Sequence, residues 1–346
     1  MTFLKKAIHF VKATVHLFIA AGKGFMEDRV MKLSAALAYY TIFSLTPLII
    51  IIIAAASLFL GGEITNTVET SPDGTIKEYK MDPREELFSE IQDLVGPEAT
   101  AQLKSFVKQS NVSGRSTIGL IIGITTLIIG ATAMFIEIQD SINLIWKVKA
   151  VPKKGWKKLI TNRLLSFSLI ASLGFLLLVS LVVNSVVVGI GDKLVGLTAK
   201  IGVEKVSELF MLILTNTLTL AVVTCIFAII FKVLPDVDLK WKPAIVGALF
   251  TALLFSLGKY VIGIYIERGN PASAFGAASS IIVILLWIYY TSIILYFGAE
   301  FTQAYAERYA KGIAPSKYAV HTKIVVVEKK VDVLPPQHPE DTKIQQ

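Results

Sequence analysis

Residues 279–301 read SSIIVILLWIYYTSIILYFGAEF, with one formal charge, Glu300, next to the end. A helix rising 1.5 Å per residue needs about 20 mostly apolar residues to cross a hydrocarbon core roughly 30 Å thick. A soluble amphipathic helix keeps a polar face, and this run has none. Working outward, five further runs of the same kind occupy 35–60, 117–138, 164–190, 209–232 and 244–266. The fold class expected is therefore all-α: a polytopic membrane helical bundle of six transmembrane helices, forming one membrane domain over 31–311. Composition agrees, with 54% apolar residues, 17% charged and a mean hydropathy of +0.64, outside the range of soluble domains.

The formal charge of +8 is compatible with nucleic-acid binding, so its distribution decides. Six basic residues precede the first span, seven lie between spans two and three, and seven more run from Arg308 to Lys343. The segment 61–116 carries ten acidic residues against six basic ones. Basic loops stay on the cytoplasmic side. The alternation is consistent only with N- and C-termini in the cytoplasm, and it points to membrane lipids rather than nucleic acid as the partner. The N-terminus lacks a compact apolar core followed by a small-residue cleavage site, so the first span is expected to be retained.

Residues 1–30 place Phe3, Ala7, Val11, Val15, Phe18, Gly22 and Phe25 at helical spacing, with Lys5, Lys6, Lys12 and Lys23 on other faces. This is a cytoplasmic amphipathic helix that either lies on the bilayer or packs on the protein's own inner side. In the outer loop 61–116, Asp82, Pro83 and Glu85 form a helix start, and Gly96-Pro97 breaks the amphipathic pattern into two short helices. The tail 312–346 is polar, contains Pro335, Pro336 and Pro339, and is expected to be disordered.

Charges inside spans carry the functional expectation, because each costs several kcal/mol unless it faces protein or water. Lys259 lies about 22 Å along the fifth span from its cytoplasmic start. It either snorkels outward to headgroups or lines a polar cavity that meets an anion. Glu300, Glu137 and Asp140 fall at the inner level, with Asn143 one turn on and Trp146 at the interface; Lys147, Lys158 and Arg163 are the nearby cations. This inner group is a salt-bridge network or a cation or proton relay. Pro47 is expected to break the first helix, with Ser44 and Thr46 re-satisfying the freed carbonyls. Polar residues of the fourth span, among them Thr215, Asn216 and Thr224, are expected to bond between helices.

An enzyme is not expected. The four histidines, His9, His16, His321 and His338, all lie in the termini, and neither a phosphate-binding loop nor a nucleophile elbow is present. The single cysteine, Cys225, excludes an internal disulfide and a thiolate metal site. No cofactor or metal is implied, and nothing in the chain specifies an oligomeric state.

Three blocks resemble the YihY/BrkB membrane proteins, called virulence factor BrkB and once labelled ribonuclease BN. They are SAALAYYTIFSLTP at 34–47, DSINLIW at 140–146, and a long block from Pro235 through AIVGALF at 244–250, Gly258-Lys259, Tyr265 and Phe275-Gly276 to WIYY at 287–290 and GAE at 298–300. The resemblance covers about 25–310 and implies a six-span bacterial cytoplasmic (inner) membrane protein. It brings Asp140, Asn143, Trp146, Lys259, Tyr265 and Glu300 forward as candidates, because they fall inside the blocks. The histidine distribution argues against ribonuclease chemistry. The function expected is a transporter or flippase of a lipid or small amphipathic solute. The alternative is a non-transporting scaffold of the cell envelope.

Overall fold

The computed structural model describes residues 2–59, 66–70, 76–80, scattered positions from 88 to 105, 117–151, 204–269 and 279–323. The long elements are α1 (Thr2–Glu27), α2 (Val30–Phe59), α3 (Thr117–Ile145), α4 (Glu204–Val233), α5 (Trp241–Gly269) and α6 (Ser279–Tyr309). Short strands stand between and after them: β1 (Asn66–Thr70), β2 (Ile76–Lys80), β3 (Val148–Ala150), β4 (Val237–Asp238), β5 (Ala314–Pro315) and β6 (Ala319–His321). The span expected at 164–190 lies outside the described residues. Among the described residues, three helical segments are long and apolar enough to cross a membrane: Phe210–Val233, Trp241–Tyr265 and Ile281–Tyr309.

The helix α6 is the centre of the packing, touched by α1, α2, α3 and α5, while α4 packs on α5 and α2 on α3. The side-chain distribution on α5 is inverted relative to a soluble helix. Its buried face is Ala244, Ala248, Ala252 and Phe255, and its exposed face is Ile245, Leu249, Leu253, Leu257, Val261 and Ile264. Large apolar groups turned outward, and alanines turned inward over the first three turns, suit a helix solvated by lipid, where close backbone approach replaces hydrophobic burial as the source of attraction.

That approach is closest at the α5–α6 seam. A Cβ added to Gly247 would sit 1.8 Å from Thr302 Oγ1, and one added to Gly298 would sit 1.9 Å from Thr251 Oγ1. Each threonine thus occupies the space left by a glycine of the other helix. Both hydroxyls donate to the carbonyl four residues back, Thr251 to Gly247 and Thr302 to Gly298, each at 2.7 Å. Neither hydroxyl is stranded at the contact. Back-bonding of this kind also occupies the polar residues of α4: Asn216 donates to the Leu212 carbonyl at 2.8 Å and Thr224 to the Leu220 carbonyl at 2.7 Å. These two residues satisfy their own helix rather than bridging helices, because the i−4 carbonyl is always within reach and a neighbouring helix is not.

Three expectations are corrected. The helix α2 runs as a single α-helix through Pro47. Ser44 Oγ donates to the Thr41 carbonyl at 2.9 Å and Thr41 Oγ1 to the Leu37 carbonyl at 2.7 Å, in the turns before the carbonyl that Pro47 frees. The outer loop is not purely helical, since β1 and β2 form an antiparallel hairpin with Asn66 opposite Lys80 and Thr70 opposite Ile76. The Asp73-Gly74 pair between them is a hairpin signal that the helical reading passed over. Elsewhere in the loop, Phe88 and Thr100 are helical and buried.

The third correction concerns the tail. Residues 312–323 are ordered because they supply backbone partners to exposed chain at the ends of α3 and α4. After α6, Gly312 turns with φ 84°, a conformation that a Cβ would strain. The chain then pairs β5 with β4 and β6 with β3, both antiparallel. Val151 N–H donates to the Tyr318 carbonyl and Thr322 N–H to the Lys147 carbonyl, each at 2.8 Å. The C-terminal chain therefore clamps the ends of α3 and α4 together.

Candidate functional site

At the clamped end, three elements converge on Glu300. The residue is 4% exposed, enclosed in the face of α6 that meets α1. Its carboxylate lies against the backbone of Gly24 in α1: a Cβ there would fall 2.1 Å from Oε2. Only glycine leaves room for it. Next to it is Asp28, in the turn after α1, whose carboxylate forms an ion pair with Lys147, in the turn after α3. Trp146 anchors that turn, its indole Nε1 donating to the Ala299 carbonyl at 3.0 Å, one residue from Glu300. Glu300 Oε1 is buried and makes no hydrogen bond among the described residues. Among the described residues, two carboxylates and one ammonium are thus gathered, and the ammonium is paired with Asp28.

One turn further into α6 stands Tyr296, completely buried. Its hydroxyl has no hydrogen-bond partner among the described residues but lies within electrostatic reach of Glu137. Glu137 accepts from Ser141 Oγ at 3.3 Å, one turn along α3. Glu137, Ser141, Tyr296 and Glu300 form a polar file between α3 and α6 that ends on the Asp28–Lys147 pair.

A separate knot joins α3 to the chain after α4. Asn143 Nδ2 donates to Asp236 Oδ2 and Asp236 N–H donates to Asn143 Oδ1, both at 2.8 Å. Both residues are buried. Ser316 adds its N–H at 3.1 Å and its hydroxyl at 2.8 Å to the Asp236 carbonyl, tying the clamp to the same point. Partial burial, and then the Asp236 carboxylate, push the phenol of Tyr318 above its ordinary range.

The structure brings Glu300, Trp146 and Lys147 together and keeps Glu137 one step along the file. Asn143 belongs to the Asp236 knot, and Asp140 points to the exposed side of α3. Lys259 and Tyr265 are away from this cluster, toward the other end of α5; Lys259 Nζ stands 5.8 Å from the Tyr260 ring centroid, and Tyr265 is 57% exposed. Arg163 and Lys158 lie outside the described residues. Sequence reasoning missed Gly24, Asp28, Asp236, Ser141 and Tyr296. Two of these carried a signal: Ser141 sits inside the DSINLIW block, and Tyr296 precedes Glu300 by one helical turn. Gly24 and Asp28 carried none, because only their contact with α6 distinguishes them. Among the described residues no group of three or more histidine, cysteine, aspartate or glutamate side chains is placed to hold a metal ion.

The chain is similar to UPF0761 membrane proteins from several bacteria. It is 26% identical to that of Saccharophagus degradans over 306 residues, covering 86% of this chain and 61% of the relative. The Pseudomonas paraeruginosa protein is 26% identical over 298 residues, covering 84% and 61%. The Tolumonas auensis protein is 29% identical over 205 residues, covering 58% and 61%. The chain thus spans about three-fifths of the length of these relatives. No solved structure matches it. The family model described as virulence factor BrkB matches residues 21–321, a stretch that includes the Glu300 cluster, the polar file and the clamp, and the chain therefore belongs to the virulence factor BrkB family of membrane proteins.

Proposed function

We propose that the chain is a multi-pass protein of the bacterial inner membrane that transports or flips a lipid or small amphipathic solute. The observation that carries this reading is the enclosure of Glu300, with one carboxylate oxygen unpartnered among the described residues, at the end of a polar file inside an apolar bundle. A carboxylate held there costs several kcal/mol relative to water, and a bundle whose only task is to stay assembled gains nothing from it. A bundle that rearranges as charge or solute passes does. The basic turn at Lys147 and Lys149 supports a cytoplasmic location for the clamped end, and with it cytoplasmic termini. Contact of Phe18 with Phe250 and Phe301 supports α1 resting on the protein's own inner side, with Lys12 and Lys23 exposed. Lys259, partly exposed nearer the opposite end of α5, is suited to meet an anionic headgroup there.

Proteoliposomes loaded with a panel of lipids and amphipathic ions test the reading. Movement by the wild type that is lost in Lys259→Ala and Glu300→Gln, both still folded, is the expected result. Wild-type protein that moves none of the panel would favour a non-transporting envelope scaffold, and fully active variants would remove these residues from the path.

A further inference from the structure

Among the described residues, the Glu300 cluster holds an imbalance of charge. Asp28 and Glu300 together bear two negative charges when ionised, and Lys147 supplies one positive charge. Lys147 is committed to Asp28, whose side chain is only 8% exposed. Among the described residues, the charged groups acting on Glu300 are Asp28 and Glu27 from the end of α1 and Lys147 after α3. Lys32 at the start of α2 and Lys242 at the start of α5 are exposed. Glu300 Oε1 is buried and has no hydrogen-bond partner among the described residues. Two carboxylates are acceptors only, and such a pair forms a hydrogen bond only when one of them carries a proton. Enclosure at 4% exposure leaves little water to take the place of that proton.

We infer that Glu300 is a proton-binding site: it holds a proton while Lys147 is paired with Asp28, and releases it when Lys147 turns to Glu300. The chemistry is a single O–H bond. One proton from water adds to a carboxylate oxygen of Glu300 to give the neutral acid, which donates to Asp28; loss of the proton to water restores the carboxylate, and Lys147 then neutralises it. No other reactant is involved. The seat on Gly24 holds the side chain in place in the protonated state, and Tyr296, one turn along, continues the path toward Glu137. The assignment of a role in coupled movement rests on the transport reading above; the binding of the proton does not.

Infrared difference spectroscopy of the full chain in vesicles of phosphatidylethanolamine and phosphatidylglycerol reads the proton directly. A protonated-carboxyl stretch at neutral pH that disappears on alkalinisation, and is absent from Glu300→Gln, is expected. In Asp28→Asn the freed Lys147 pairs with Glu300, so the same band is lost at roughly tenfold higher proton concentration or more. If Glu300→Gln does not fold, glutamate labelled at its side-chain carboxyl carbon with carbon-13 shifts the band of the wild type and makes the same assignment. A missing band, a band that persists in Glu300→Gln or fails to shift with the label, a band that survives to higher pH in Asp28→Asn, or displacement by sodium at neutral pH would each overturn the proton site. A titrating Glu300 in a protein that moves no solute would overturn the transport reading alone. Solute movement with Glu300 permanently ionised would do the reverse.

Discussion

The carboxylate of Glu300 in α6 rests on the backbone of Gly24 in α1, so close that a methyl group on Gly24 would stand 2.1 Å from Oε2. This contact joins the N-terminal helix to the buried carboxyl group. Gly24→Ala is expected to push the carboxylate out of its seat and destabilise the protein by about 1–3 kcal/mol. In a Glu300→Ala background the same substitution meets no carboxylate and should cost much less. Unfolding in mixed micelles, arranged as a double-mutant cycle, measures the coupling; additive costs would show that the two residues do not share the contact.

Asn143 and Asp236 exchange two hydrogen bonds across ninety-three residues of sequence. Truncating Asn143 removes one hydrogen bond from the buried Asp236 carboxylate and one from its backbone N–H. Asn143→Ala should lower stability by about 1.5–3 kcal/mol, the range for buried hydrogen bonds to charged groups. Because Ser316 is tied to Asp236, the same variant should also be cleaved faster by protease within 312–323. A variant with an unchanged melting temperature and unchanged cleavage would contradict the knot.

The glycine and threonine pairs of the α5–α6 seam leave no room for a Cβ. Gly298→Ala and Gly247→Ala should each separate the helices and cost about 1–3 kcal/mol. Gly22→Ala, where nothing lies within 4 Å of the added carbon, is the control and should be near neutral or slightly stabilising. Thermal unfolding of the three variants in one detergent makes the comparison.

Tyr318 gives the clamp a dependence on alkaline pH. Its folded-state titration lies above the ordinary value of 10.0, so the folded protein keeps the phenol proton after the unfolded chain has lost it. The neutral phenol is the form the fold favours, so stability falls as pH rises above 10.0 and continues to fall until the folded-state value is passed. Proteolysis within 312–323 should therefore accelerate above that pH in the wild type and lose the acceleration in Tyr318→Phe.

The sequence alone determined what depends on length, hydropathy and spacing. Runs such as 279–301 are too apolar for any solvent but lipid, and Glu300 and Trp146 could be singled out because a carboxylate or an indole at such a position is informative without its neighbours. Tertiary structure decided which of those residues share a site. It placed Asn143 against Asp236 rather than beside Asp140, and ordered 312–323 as a clamp. It also gave Gly24 and Asp28 a role. The physical reason is that hydropathy is a property of a segment read along its own axis, whereas a seat for a carboxylate or a backbone pairing is made by two segments that the sequence keeps far apart.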